Sequence, residues 1–233
     1  MASDASPDVP KGRKRFIPLE NNPDVMTGLV HKLGLSDKLA FQDVFSIDDP
    51  ELLAFVPRPA HALLLVFPVS KTYEQFRVQE DKDKAEYEGH GPDEEVVWYK
   101  QTIGNACGPD SNLAKLVDDA IPLKPMERAD LLYESQALES AHRDAASGGD
   151  TAAPAADSDV DLHYVCFIKS ENNHLWELDG RRKGPLDRGA LDPADDVLSE
   201  KALDLSVRSF LKREQEAGEG EIRFSLIALV EPF

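Results

Sequence analysis

The sequence predicts an α/β fold of the α+β type, in which a central, mainly antiparallel sheet is flanked by helices. Amphipathic segments with helical spacing and continuous apolar runs typical of buried strands both occur along the 233 residues, without an internal repeat. Two strand-like runs, 162–169 and 174–180, are joined by the short turn SENN, which is typical of a β-hairpin. A chain of this length can form one or two domains and bury a sizeable core.

Helices are predicted where apolar periodicity coincides with start and stop residues. The first is predicted to follow Asn22 as its N-cap and to end at Gly34. A short helix is predicted to begin at Pro50, and Ser70 is predicted to cap a third helix. Further amphipathic helices are predicted in two segments: 111–120 and the segment that follows Pro125.

Strands are predicted from apolar and β-branched runs that are bounded by turn residues. Besides the two strands of the hairpin, the predicted strands are 61–69, 95–103 and a final strand within 223–233. The segment 147–161, SGGDTAAPAADSDVD, has the small and acidic composition of a loop, and it leads directly into the hairpin.

Composition limits the classes of partner. The chain has 26 lysine and arginine residues against 44 aspartate and glutamate residues, a formal net charge of −18. This charge repels phosphate backbones and favours basic protein surfaces, so no nucleic acid partner is expected. The apolar run 62–69 is too short to span a bilayer, and residues 1–10 are too polar for a signal peptide. We therefore expect no membrane partner and a cytoplasmic location. The basic segment KGRKR at 11–15 is compatible with an additional nuclear location.

Candidate chemistry centres on three residues. Cys107, His163 and Asp179 are the groups that could supply a thiol nucleophile, a base and an orienting acid. Other interpretations stay open from the residues alone: a small buried cysteine, a hydrogen-bonded core histidine and a turn aspartate. A metal site formed by Asp161, His163 and Cys166 is a weaker alternative because a second pair of ligands is missing. No cofactor and no metal are expected.

Several segments together resemble the ubiquitin C-terminal hydrolase family of cysteine deubiquitinases. They are FIPLENNPDVMTGLVHKLGL, DDPELLAFVPRPAHALLLVFPVS, QTIGNACG, HYVCF, LWELDGRRKGP and FSLIALV. The resemblance implies a papain-like fold with a knotted backbone and a single domain over 14–233 that follows a disordered tail, 1–13. It also implies that 147–161 is the crossover loop over the active site.

Carried over residue by residue, the resemblance assigns four site residues. It makes Cys107 the nucleophile, His163 the general base, Asp179 the group that orients His163, and Gln101 an oxyanion-hole donor. The implied activity is thiol-dependent hydrolysis of ester, peptide or isopeptide bonds at the C-terminal glycine of ubiquitin. The implied partner is ubiquitin or a close ubiquitin-like protein, bound by a monomer.

One departure from the family pattern begins at Gly108. The family resemblance predicts a long apolar helix that starts at the cysteine, whereas PDSNLAKLV follows at once in this chain. Pro109 disfavours the α conformation at Gly108, so a helix is predicted to start at Pro109 or later. Three hypotheses follow: an active thiol hydrolase, a ubiquitin-binding module with little or no turnover, or an inactive splice or gene-model variant that lacks the central catalytic helix.

Overall fold

A computed structural model describes residues 16–102, 113–149, 162–216 and 224–233. Several predictions fall partly or wholly outside these residues, and three of them bear on domain organisation or on the site. They concern the tail 1–13, Cys107 with the Gly108–Pro109 junction, and the 147–161 loop beyond its first three residues. The knotted path stays a prediction, because chain segments that would define it are among those not described.

The described strands form one six-stranded sheet in which every neighbouring pair is antiparallel, as predicted. The strand order is β1-β6-β2-β3-β4-β5, so the strands β2 and β3 lie at its centre. The strands are Ala40–Asp43 (β1), Ala60–Pro68 (β2), Leu162–Lys169 (β3), His174–Leu178 (β4), Leu186–Ala190 (β5) and Ser225–Val230 (β6).

The described helices lie on both faces of this sheet. They are Pro23–Lys32 (α1), Pro50–Leu53 (α2), Lys71–Asp81 (α3), Leu113–Ala120 (α4), Pro125–Glu134 (α5), Gln136–Ala146 (α6), Glu200–Leu205 (α7) and Val207–Glu216 (α8). The predicted caps are confirmed: the Asn22 side chain accepts two main-chain N–H groups at the start of α1, and the Ser70 hydroxyl accepts one in α3. Gly34 follows α1 with a φ of 91°, which favours glycine.

The segment after Pro125 forms two helices where the sequence predicts one. Ser135 has an extended ψ of 111°, which ends α5. Its hydroxyl then accepts the Leu138 N–H and caps α6. Serine competes well for main-chain hydrogen bonds at such a position, and this explains the break.

The strand predicted for 95–103 is wrong over the described residues 95–102, which form a bend followed by irregular chain and belong to no ladder. Their main-chain groups bond outside the sheet. The Gln101 N–H donates to the Gly180 carbonyl at 2.9 Å, and the Trp98 carbonyl accepts from Arg128 Nη1 at 3.2 Å. Side-chain and loop partners therefore replace a neighbouring strand.

The first face of the sheet carries a fully buried core. Val165 and Phe167 of β3 and Leu175 of β4 are at most 3% exposed there, and they pack in one cluster with apolar residues of α7 and α8. Because alternate strand residues point to opposite faces, His163 shares this face with Val165 and Phe167.

The second face is covered less evenly. One cluster joins α1 and α6 to Ile227 of β6 and Leu64 of β2. In contrast, Ile168, Trp176 and Leu178, which lie on this face in β3 and β4, are only half-buried. The centre of the second face is therefore more open than the first. Within the described ranges, the helices are too short or too polar to cross a bilayer.

Candidate active site

His163 lies near the start of β3, where it pairs in register with Phe67 of β2. Its ring packs edge-on against the Phe67 ring at 5.8 Å between centroids, and the residue is 6% exposed. The ladder with β2 fixes the backbone of this histidine on one side, since the pairing of β3 with β4 begins only at Cys166. The imidazole is thus held by the sheet and by an aromatic wall.

Asp179 follows directly after β4 and is fully buried. His163 Nε2 lies 2.8 Å from Asp179 Oδ1, at hydrogen-bonding distance. Because Nε2 is engaged in this bond, Nδ1 is the ring nitrogen left to exchange a proton with a nucleophile. The structure thus brings together two of the sequence-predicted site residues, in the arrangement that a base and an orienting acid require.

The Asp179 carboxylate is held as an anion. Its Oδ1 also accepts the Arg181 main-chain N–H at 2.8 Å, and its Oδ2 accepts the Tyr73 hydroxyl. Burial alone would raise the pKa of Asp179, but His163 and these hydrogen bonds outweigh burial and hold the pKa well below its ordinary range. An ionised carboxylate therefore faces His163 at neutral pH.

A buried guanidinium supports the turn that carries Asp179. The Arg182 side chain is 1% exposed and forms ion pairs with Glu80 at 2.7 Å, Glu177 at 2.8 Å and Asp81 at 3.3 Å. Burial would lower the pKa of Arg182, yet the surrounding carboxylates raise it above its ordinary value. This network joins the end of α3 to the β4–β5 connection and fixes the turn after Asp179.

Gln101, the third predicted site residue, lies against the same turn. Its main-chain N–H donates to the Gly180 carbonyl at 2.9 Å, and the Trp98 indole N–H donates to the Asp179 carbonyl at 3.2 Å. A Cβ on Gly180 would lie 2.8 Å from Gln101 Cβ and 3.0 Å from the Gln101 nitrogen. The absence of a side chain at Gly180 allows this close approach.

Cys107 lies outside the described residues, so its distance to His163 is not part of this geometry. Cys166 is three residues after His163 in β3 and hence on the opposite face of the sheet. Burial raises the pKa of the Cys166 thiol to about 12, which favours the protonated thiol at neutral pH. Cys166 can neither act as nucleophile with His163 nor share a metal with it, which removes the metal alternative for this pair.

The structure contains a second His–Asp contact with different surroundings. His174 Nδ1 lies 2.8 Å from Asp187 Oδ2, but the two side chains are 38% and 41% exposed. Water competes for both groups, so this pair is a surface contact between β4 and β5.

Sequence reasoning missed Tyr73 and Arg182 as neighbours of Asp179. Tyr73 is in the first turn of α3, about 100 residues before its partner, and nothing in the local pattern around it indicates a buried hydroxyl. Arg182 falls within the motif LWELDGRRKGP, but the adjacent Arg181 makes the two side chains indistinguishable by sequence pattern.

The fold and the paired His163 and Asp179 are typical of the cysteine hydrolases of papain-like type. A sequence model of the family described as "Ubiquitin carboxyl-terminal hydrolase, family 1" matches residues 16–109 and 108–212. The chain belongs to this family, whose members are cysteine-type ubiquitin hydrolases. The two matched segments meet at Gly108 and Pro109, the junction at which the sequence departs from the family pattern.

Curated relatives from distant organisms support the same assignment. Ubiquitin carboxyl-terminal hydrolase 3 of Arabidopsis thaliana is 36% identical over 235 residues, which cover 93% of this chain and 94% of the relative. Ubiquitin carboxyl-terminal hydrolase YUH1 of Saccharomyces cerevisiae is 32% identical over 238 residues, and the match covers 93% of this chain and 96% of the relative. Both alignments are longer than the part of this 233-residue chain that they include, so each relative carries residues that this chain lacks.

Among solved structures, the catalytic domain of Trichinella spiralis UCH37, crystallised with ubiquitin vinyl methyl ester, has a similar fold. The TM-score is 0.66 at 20% sequence identity, and the match covers 94% of this chain and 96% of that chain. The likeness confirms the α+β fold predicted from the sequence.

Proposed function

We propose that this chain is a deubiquitinase that hydrolyses ester, peptide or isopeptide bonds at the C-terminal glycine of ubiquitin. The observation that carries the proposal is the buried 2.8 Å contact between His163 and Asp179 in a member of this family. In this assignment Cys107 is the nucleophile, His163 the base, Asp179 the orienting acid and Gln101 an oxyanion donor.

The reaction would begin with transfer of the Cys107 thiol proton to Nδ1 of His163, because Nε2 is occupied by Asp179. The thiolate attacks the carbonyl carbon of the terminal glycine, and the Gln101 side-chain amide stabilises the resulting oxyanion. His163 then returns the proton to the leaving amine or alcohol. Water attacks the thioester that remains, which releases ubiquitin and regenerates the thiol.

Ubiquitin as the partner is supported by the names of the relatives and by the ubiquitin probe bound to UCH37. The formal net charge of −18 favours a partner with a basic face, and it would raise the rate of association more than the affinity. A monomer in the cytoplasm fits this role. Size-exclusion chromatography with light scattering would test the monomer, and a fluorescent fusion would test the location.

His163 and Asp179 should act as one unit, so their mutational losses should be strongly non-additive. Asp179 works only through the imidazole it orients, and it has no function of its own once His163 is removed. The double variant His163→Ala/Asp179→Ala should therefore be as slow as His163→Ala alone. The test is a double-mutant cycle. It compares initial rates on a fluorogenic ubiquitin ester for the parent, both single variants and the double variant.

The surface pair provides a matched control, because His174→Ala and Asp187→Ala remove a His–Asp contact of the same length. Both control variants should keep the rate of the parent. If the loss of rate in the double variant equalled the product of the losses in His163→Ala and Asp179→Ala, Asp179 would be only a turn residue.

Gly180→Ala should slow hydrolysis and lower stability together. The added methyl group would press on Gln101, and a shift of about 1 Å in a catalytic group can cost about 10²-fold in rate. Overpacking of this kind also costs about 1–3 kcal/mol. Thermal melts and rates on the ubiquitin ester measure the two effects.

Gly28→Ala is the matched control for Gly180→Ala, because a Cβ at Gly28 meets nothing within 4 Å. Gly28 lies in α1, where alanine is the better helix former by about 0.5–1 kcal/mol, so this variant should be slightly more stable and equally active. Unchanged rate and melting temperature in Gly180→Ala would refute the role given to the close approach.

A second candidate function is a ubiquitin-binding module with little turnover. The observation that favours it is the junction of the two family matches at Gly108 and Pro109, next to the proposed nucleophile. Ubiquitin affinity equal to that of an active relative, combined with no detectable hydrolysis, would select this function. Sequencing the transcript across the codons of Gly108 and Pro109 would show whether a longer form exists.

A further inference from the structure

We propose that Tyr73 is a positioning residue of the hydrolytic reaction, whose hydroxyl fixes the Asp179 carboxylate so that the carboxylate in turn fixes His163. This inference deepens the proposed function and rests on the role given there to Asp179. It is carried by the hydrogen-bond partners of the two carboxylate oxygens and by the packing of the Tyr73 ring.

The two oxygens of Asp179 have separate donors. Oδ1 accepts from the Arg181 main-chain N–H and contacts His163 Nε2, both at 2.8 Å. Oδ2 accepts the Tyr73 hydroxyl, whereas Arg182 Nε is 3.8 Å away, beyond hydrogen-bonding distance. Among the described contacts, the Tyr73 hydroxyl is therefore the donor that holds Oδ2, and together with the Arg181 N–H on Oδ1 it resists rotation of the carboxylate about its Cβ–Cγ bond.

The Tyr73 hydroxyl is itself held in place. The residue is 3% exposed, and its ring packs on Phe67 at 4.8 Å and on Phe210 at 6.4 Å between centroids. The Ser70 hydroxyl accepts the Tyr73 N–H at 2.8 Å, which fixes the backbone in the first turn of α3. The ring is also 5.8 Å from that of His163, so Tyr73 forms one wall of the imidazole site.

The Tyr73 hydroxyl can only donate in its hydrogen bond with Asp179 Oδ2. Burial and the neighbouring Asp179 raise the pKa of Tyr73 far above its ordinary value, so the hydroxyl keeps its proton at any physiological pH. A protonated phenol beside an ionised carboxylate gives a charge-assisted hydrogen bond, which is stronger and more directional than a neutral one. Tyr73 therefore limits both the orientation of Asp179 and the charge that Asp179 presents to His163.

Tyr73→Phe tests this role because it keeps the ring and removes the hydroxyl. We expect kcat on a fluorogenic ubiquitin ester to fall about 10-fold, the equivalent of about 1.4 kcal/mol, while KM stays within twofold. Since KM is preserved, the loss would lie in the chemical step. A loss that merely reflected unfolding would disappear when rates are corrected for the folded fraction.

A spectroscopic readout makes the test independent of turnover. The His163 Nε2 proton in the 2.8 Å contact with Asp179 should give a downfield proton NMR signal. In Tyr73→Phe this signal should shift or broaden, because Oδ2 loses its donor. The control is Tyr87→Phe, which removes a phenol bound to Glu94 Oε1 at 2.5 Å and should leave both the signal and kcat unchanged.

The outcomes separate this inference from the proposed function. An unchanged NMR signal in Tyr73→Phe would overturn the positioning role, as would an unchanged kcat where the parent turns over. If Asp179→Asn also kept the rate of an active parent, the assignment of Asp179 itself would fail. If Asp179→Asn were slow while Tyr73→Phe behaved like the parent, only the role of Tyr73 would be rejected.

Discussion

Cys107→Ala should abolish hydrolysis of a fluorogenic ubiquitin adduct, while Cys166→Ala should keep the rate of the parent. Removal of a nucleophile that acts with a base and an orienting acid costs about 10⁶ in kcat. Cys166 lies on the opposite face of β3 from His163, with a pKa that burial raises to about 12. The position of Cys166 thus excludes it as the nucleophile that acts with His163.

Rates for the two single variants and the parent decide this prediction, with thermal melts to confirm that each variant is folded. Each variant removes one thiol, so each is the control for the general effect of a cysteine-to-alanine change in the other. Activity that survives in Cys107→Ala would reject the nucleophile assignment. Equal losses in the two variants would indicate that the measured effect is structural.

Inserting a family-type apolar helix between Gly108 and Pro109 should raise both stability and turnover. Such a helix would bury several large apolar side chains, each worth about 1.5–3 kcal/mol. For a chain of this size, each kcal/mol raises the melting temperature by about 2–4 °C, so we expect a gain of at least about 10 °C. Turnover should rise by at least about 10²-fold, because the helix would hold the Cys107 sulfur in attack geometry.

The second face of the sheet shows where such a helix would find partners. Ile168, Trp176 and Leu178 are half-buried there, although β3 and β4 are inner strands and their apolar residues on the first face are at most 3% exposed. An added helix that covered these side chains would remove apolar surface from water. These half-buried apolar side chains are the surface that the inserted helix is expected to cover.

An insert of equal length made of glycine and serine is the matched control, because it lengthens the chain without adding apolar surface. Thermal melts, ubiquitin affinity and turnover should be measured on the parent and both inserted forms. Equal melting temperatures and rates for the parent and the helical insert would mean that α4, Leu113–Ala120, already fills the central position.

Elements with strong local signals could be predicted from the sequence. The helix α1 combines Asn22, a proline at its first position and Gly34, so local chemistry fixes both of its ends. The strand β2 is a long apolar run at the centre of the sheet, and its neighbour β3 alternates buried and half-buried residues. In these cases propensity and tertiary packing favour the same structure.

Other elements depend on tertiary contacts that no local pattern encodes, and the sequence predicts none of β1, β5, α7 or α8. The strand β5, LDRGA, contains Gly189 at a φ of 130°, and Arg188 in it pairs with Glu80 and Glu177 on other elements. The helix α8, VRSFLKREQE, is mostly polar and buries few side chains. The structure of such segments depends on contacts with other elements more than on local propensity.

The site was predictable only in part, for a comparable reason. His163 and Asp179 are 16 residues apart, at neighbouring strands, and a family resemblance can assign both to the site. Tyr73 reaches Asp179 across 106 residues, and Arg182 reaches Asp81 across 101. Long-range polar contacts depend on how α3 packs against the sheet, which neither periodicity nor capping residues determine.

Covalent capture by ubiquitin vinyl methyl ester, followed by mass spectrometry of the modified peptide, would show directly whether Cys107 reacts and whether it depends on His163. We expect one ubiquitin adduct on Cys107, formed much more slowly in His163→Ala and at the parent rate in His174→Ala. An adduct on Cys166, or an adduct on Cys107 that forms equally fast without His163, would contradict this expectation.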